Sequence, residues 1–266
     1  MPILESELSH WIDHFYGYGS WKSRFWFISH EEPGGDFPEE VGERIRYFTK
    51  VKSPDLCDIR DLYAHVAYQP ERAHAAVFSN LYDYRFGPSA TLNTVWKNLI
   101  SFEFGCSHQP LPDLLDYQRT QFAEIARERE ALIPLYPLPS THNHAWYYSW
   151  LQLKGFDFLR TRQRYEQHLY QTRMTTILDN IQRYHPEAVV MFAMNNINNI
   201  KQSICGHFEN VKFTTIKAIP LQIPGHHRAT INGTRVMITT LMPALKHNRK
   251  ETGFDWYECG KQFGMQ

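Results

Sequence analysis

Cysteine is scarce in this chain. Its four thiols, Cys57, Cys106, Cys205 and Cys259, are scattered and form no C-x-x-C pair. That argues against a zinc ribbon or an iron–sulfur cluster and for a reducing compartment. Neither sign of charge dominates: Lys plus Arg and Asp plus Glu both number 28. Any nucleic-acid contact must then come from a local patch rather than a global basic field. No apolar run approaches the ~18 residues of a membrane-spanning helix. The N-terminus lacks a basic-then-apolar targeting signal, so a soluble, cytoplasmic protein with no membrane partner is expected. Neither G-x-x-x-x-G-K-[ST] nor G-x-G-x-x-G occurs, which disfavours a nucleotide hydrolase and a dinucleotide oxidoreductase. There is no G-x-S-x-G elbow for a serine hydrolase and no H-E-x-x-H for a zinc peptidase.

Aromatic residues, at 15%, are plentiful. The stretch that organises the chain is Arg24 to Asp36, where Phe25-Trp-Phe-Ile28 is continuously apolar and reads as a strand buried on both faces. It runs into His30-Glu31-Glu32-Pro33-Gly34-Gly35. In an open α/β sheet, ligands bind beyond the carboxyl ends of the strands, so this loop is where chemistry is expected. Pro33 stiffens the turn, and the glycines allow close approach of backbone to a ligand. Its acids could equally be solvated.

The spacing of apolar residues predicts helices over 3–16, 38–48, about 90–104, 113–129, Thr161–Tyr184 and the tail after Thr252. Ala188–Ala193 and Arg235–Leu241 read as buried strands, Lys212–Ile219 alternates, and Asn232-Gly233 signals a hairpin. Ala131–Ser140 is a further apolar run in which Pro134 suits a sheet edge or strand end. Residues 50–90 read as an irregular insertion. Buried strands separated by helices predict one three-layer α/β/α domain over 1–266, with a mostly parallel central sheet.

Polar loops follow two of these strands: His30-Glu-Glu-Pro-Gly34 early, and Leu241-Met-Pro-Ala-Leu-Lys-His-Asn248 late. Tyr136-Pro-Leu-Pro139 lies between them. The order and placement of these segments resemble the uracil-DNA glycosylase superfamily, from about residue 22 to 263. The resemblance implies a DNA glycosylase that flips a nucleotide out of DNA and hydrolyses its N-glycosidic bond, with no cofactor and as a monomer. Glu32, before the proline, would position or deprotonate the attacking water or stabilise the cationic sugar, with Glu31 as the alternative. Glu32 could instead be an acid favoured by a helix N-terminus. His30, Pro33, Gly34, Phe37, Tyr136, His142, Asn195 and Met242 become the candidate base-binding set. Phe37 could stack on the base or merely pack, and Asn195-Asn196 could simply cap a helix.

The sequence departs from the family at Met242, which stands where a His or Asn helps the leaving base. His247, His142, His144, His226 or His227 could substitute. The departure puts uracil in doubt and leaves room for a bulkier modified pyrimidine, of the kind found in phage DNA. Leu245 could wedge into the base stack, beside a basic cluster of Lys246, His247, Arg249 and Lys250 that would contact phosphates of double- or single-stranded DNA. Arg160, Arg162, Arg164 and Arg173 form a second phosphate surface or a soluble helix face. Two rivals stand beside this reading. One is metal binding by His142, His144, His226, His227 and the acids; the other is a catalytically silent binder of DNA or of a modified base.

Overall fold

In a computed structural model describing residues 3–35, 37–68, 78–140, 146–151, 153–220, 222–243 and 253–265, the run around Phe25 lies mid-sheet. The strands are β1 (Gly17–Tyr18), β2 (Phe25–Glu31), β3 (Leu56–Cys57), β4 (Glu130–Tyr136), β5 (Ala188–Phe192), β6 (Thr214–Ile216), β7 (His226–Ile231) and β8 (Thr234–Ile238). Among the described residues their order is β3-β1-β4-β2-β5-β8-β7-β6. The central four, β4, β2, β5 and β8, are parallel. β2 and β5 have neighbours on both edges and helices over both faces, which is why their residues are apolar without alternation. The Asn232-Gly233 turn, with φ of 49° and 88°, folds β7 antiparallel onto β8.

The helices are α1 (Glu5–His14), α2 (Pro38–Val51), α3 (Ile59–Ala64), α4 (Leu81–Arg85), α5 (Thr94–Cys106), α6 (Leu114–Thr120), α7 (Arg162–Tyr184), α8 (Ile197–His207) and α9 (Trp256–Gly264). α5 and α9 cover one face, where Phe27 of β2 meets Phe102 and Phe102 meets Phe263. They touch through backbone: a Cβ at Gly105 would lie 2.0 Å from the Tyr257 carbonyl oxygen. α7 covers the other face, tied to β2 by His30 Nε2 and Glu166 Oε1 at 3.1 Å. The fold is therefore an α/β/α arrangement on a mostly parallel sheet.

Several local expectations change. β4 is not an edge: it lies between β1 and β2, and Pro134 pairs with Ser29 inside the sheet. The proline is tolerated because β1 pairs with β4 only at Tyr18↔Leu132, so the ladder on that side has already ended. Arg173 of α7 supplies the missing donors. Its guanidinium bonds the carbonyls of Pro134 (2.8 Å), Leu135 (3.0 Å) and Phe15 (2.7 Å). At 1% exposure it belongs to no phosphate surface or soluble face.

Asn93 starts α5 later than the apolar spacing suggests, because its side chain caps the amides of Val95 and Trp96. The helix expected over 113–129 stops at Thr120, and Ala123 turns the chain with φ of 55°. The segment from 50 to 90 is not wholly irregular: its described part holds β3, α3 and α4.

Candidate active site

The carboxyl ends of the parallel strands open into a cavity of about 620 Å³. One wall is the sheet. Alternation along β2 puts Phe27, Ser29 and Glu31 on it, β4 adds Leu132 and Pro134, and β5 ends in Phe192. The facing wall comes from α3, α4 and the start of α5, including Tyr63, Arg85 and Trp96.

Glu32 follows β2 on this cavity and is tied in place by both backbone and side chain. Its carbonyl accepts from Ser140 N at 2.9 Å, which laces the loop after β2 to the loop after β4. The lacing needs Gly35, at φ +83°, since a Cβ there would lie 2.3 Å from the Pro139 carbonyl oxygen. Glu32 Oε1 accepts from Tyr63 Oη at 2.7 Å and Arg44 Nη1 at 2.8 Å, and Oε2 accepts from Tyr18 Oη at 2.9 Å. Arg44 in turn donates to Glu40 Oε1 through Nη2 (2.7 Å) and Nε (3.1 Å). The side chains of Arg44, Glu32 and Glu40 are 3%, 12% and 10% exposed.

The protonation of the two tyrosines and of Arg44 follows from burial and from the charges around them. Desolvation, with the Glu32 charge second, pushes the Tyr18 and Tyr63 phenols far above their ordinary range, so both stay protonated and donate. Burial works against the Arg44 cation, but Glu32, the two tyrosines and Glu40 outweigh it and raise its pKa above the usual arginine value. An ionised carboxylate offers about four acceptor positions. Among the described residues, Oε1 takes two donors and Oε2 one, which leaves Oε2 one position for a water or substrate hydroxyl. That is a fixed, oriented acceptor rather than a solvated acid.

The sequence matches no protein-family model and no curated protein.

Glu31 also lines the cavity, paired with Arg162 Nη1 at 2.5 Å. Burial raises its carboxyl above the usual range, against the lowering effect of Arg162 and then His30. Arg162 also bonds Ser140 Oγ and stacks over Trp146. Of the base-binding candidates, Pro33, Gly34, Phe37 and Met242 line the cavity with Glu31 and Glu32. His30 and Tyr136 do not; their rings pack edge to face 4.9 Å apart, and His30 points to Glu166. Asn195 is exposed beside Asn196, whose side chain caps α8. His142, His144, Leu245, Lys246, His247, Arg249 and Lys250 lie outside the described residues. Arg160 and Arg164 are exposed, the former paired with Asp157.

His226 is buried, with Nδ1 2.6 Å from the Pro224 carbonyl and Nε2 accepting from Arg228 Nε at 2.6 Å. No group of three or more His, Cys, Asp or Glu among the described residues is placed to hold a metal.

Sequence reasoning missed Arg44, Glu40, Tyr18 and Tyr63. The first two left a signal. Glu40 and Arg44 are four apart on the same face of α2 as Val41, Ile45 and Phe48, and charges on an apolar stripe demand partners. The tyrosines left none, being two of fifteen and remote from the loop.

Proposed function

We propose that this protein is a monofunctional DNA glycosylase that hydrolyses the N-glycosidic bond of a flipped-out, uracil-like or modified pyrimidine base. The observation that carries the reading is the Glu32 carboxylate. It sits at the end of a central strand, held by three donors, with one acceptor position left on a cavity large enough for a nucleoside. A water bonded to that position attacks C1′ as the bond to the base nitrogen breaks. One water proton goes to solvent through the carboxylate and its hydroxyl stays on the sugar, while the base leaves with the bonding pair and takes up a proton. The charge of Glu32 also stabilises the cationic sugar as it forms. Tyr18, Tyr63 and Arg44 hold the carboxylate so that little reorganisation is needed during the reaction.

A pyrimidine ring fills only part of the cavity, which favours a substituted base. Hypermodified cytosine of phage DNA is the substrate class we assign, with antiviral base excision as the role. The partner is DNA, double- or single-stranded, bound by a monomer through Leu245, Lys246, His247, Arg249 and Lys250. Trp150, 77% exposed at the end of the short turn Tyr147–Trp150, adds an aromatic surface on which a base can stack. The protein works without a cofactor. Four free cysteines and the lack of any helix long and apolar enough to cross a membrane among the described residues support a cytoplasmic setting.

Met242 on the cavity wall favours a second reading, a catalytically silent binder, because a thioether cannot donate to a departing base. One experiment separates the two. Wild type and Glu32→Gln are incubated with DNA containing uracil, mismatched thymine, hydroxymethylcytosine or glucosylated hydroxymethylcytosine, and abasic sites are scored by alkaline cleavage. Abasic sites from one substrate that vanish in the variant uphold the glycosylase. Salt-sensitive DNA binding without cleavage of any substrate upholds the silent binder.

A further inference from the structure

Arg85 is the last residue of α4 and lies on the cavity wall. Its guanidinium carbon is 4.2 Å from the Tyr84 ring centroid and 5.7 Å from that of Trp96. Its main chain is fixed as well, since its carbonyl accepts from Gln118 Nε2 at 2.7 Å. Stacking on aromatic faces uses the flat surfaces of a guanidinium and leaves its N–H edge to recognise something else. Among the described residues no carboxylate pairs with Arg85 and no acceptor takes its N–H groups.

The contrast with Arg44 is instructive. Four of the five N–H groups of that guanidinium are taken by Glu32, Glu40 and Tyr18. Two carboxylates against one guanidinium leave that end of the cavity with a net negative charge, while Arg85 brings a net positive one. Tyr63 is in reach of both: its phenol bonds Glu32, its ring centroid lies 5.2 Å from the Arg44 guanidinium carbon, and the Arg85 charge acts on it. A half-buried guanidinium whose N–H edge is open to a cavity can take acceptors from an occupant, and its planar fork suits an oxyanion best.

We propose that Arg85 is an oxyanion-recognition residue, and that the occupant of the cavity carries a phosphate. The choice of phosphate over carboxylate rests on the glycosylase reading, in which the reacting sugar carries phosphate. The anion site itself does not depend on any reaction.

Calorimetric titration of the intact protein at low salt tests this, with deoxycytidine 5′-monophosphate, deoxycytidine and a short single-stranded oligonucleotide as probes. Wild type binds the monophosphate about tenfold or more tighter than the nucleoside, the worth of one charge-assisted hydrogen bond. Arg85→Gln removes that difference, and Arg85→Lys keeps part of it. An Arg85-dependent advantage confined to the oligonucleotide upholds the proposal and identifies a phosphodiester of the strand as the source. No phosphate-dependent advantage for either the nucleotide or the oligonucleotide in wild type, no binding of any probe, or an advantage that survives Arg85→Gln overturns it. Arg85-dependent binding in a protein that leaves no abasic sites would retire the reaction and keep the anion site.

Discussion

Replacing Arg44 by methionine removes one buried cation that serves two carboxylates. Four described hydrogen bonds disappear, to Glu32, to Tyr18 and two to Glu40. Glu32 and Glu40 are then left facing each other without a counter-charge, at 12% and 10% exposure. Removing one partner of such a buried pair costs about 3–5 kcal/mol. In a chain of this size that corresponds to a fall in Tm of roughly 6–20 °C. The cost arises from stranded carboxylates and not from lost volume, so neutralising one must restore stability. Arg44→Met with Glu40→Gln is expected to recover about half of the loss, a non-additivity typical of residues in one network. Glu32→Gln alone is expected to cost about 1–2 kcal/mol, because the amide oxygen still accepts from Tyr63 and Arg44. Urea denaturation followed by far-UV circular dichroism measures all four proteins. An Arg44→Met variant within 1 kcal/mol of wild type, or a Glu40→Gln change that deepens the loss, would refute the charge argument.

Two other sites give independent tests. His226 is neutral in the fold, donating from Nδ1 to Pro224 and accepting from Arg228, and its pKa falls from 6.5 to about 4, chiefly through burial. Between those values the unfolded chain binds more protons than the folded one, so this contribution is present above pH 6.5 and is lost as pH falls through 4. It amounts to about 3 kcal/mol, and the difference in urea midpoint between wild type and His226→Gln must shrink over that window. A constant difference would show that His226 does not titrate this way. Arg173→Met orphans the carbonyls of Phe15, Pro134 and Leu135, and is expected to cost about 2–4 kcal/mol once relief of the buried charge is allowed for. Arg173→Lys should rescue little, since one ammonium cannot span three carbonyls, and full rescue would contradict the described geometry.

The parallel sheet was legible wherever burial on both faces produced unbroken apolar runs, as at Phe25–Ile28 and Ala188–Phe192. The hairpin was legible from the backbone preference of Asn232-Gly233. The place of β4 was not, because Pro134 argues for an edge unless one knows that Arg173 reaches across from α7 to supply donors. The same residue misled in the other direction: charge alone suggests solvent. At the cavity, Glu31 and Glu32 were legible because a polar loop after a buried strand is an informative pattern. The groups that hold Glu32 were not. Tyr18 and Tyr63 are brought to it by β1 and α3, and contacts between distant segments leave no local periodicity.

The two walls of the cavity have different architectural origins. Glu32 stands on a sheet whose register is fixed by the core, so its position tolerates little change. The opposite wall is carried by short helices hung on a few side-chain clamps: Glu43 to the Ala67 amide, Arg60 to the Phe122 carbonyl, and Gln118 to the Arg85 carbonyl. Such a wall can drift in sequence, with its clamps kept, while the acid opposite stays still. Relatives of this chain would then share their chemistry and differ in what they accept. Grafting the 59–96 segment from one to another would be the direct way to exchange appetites between them.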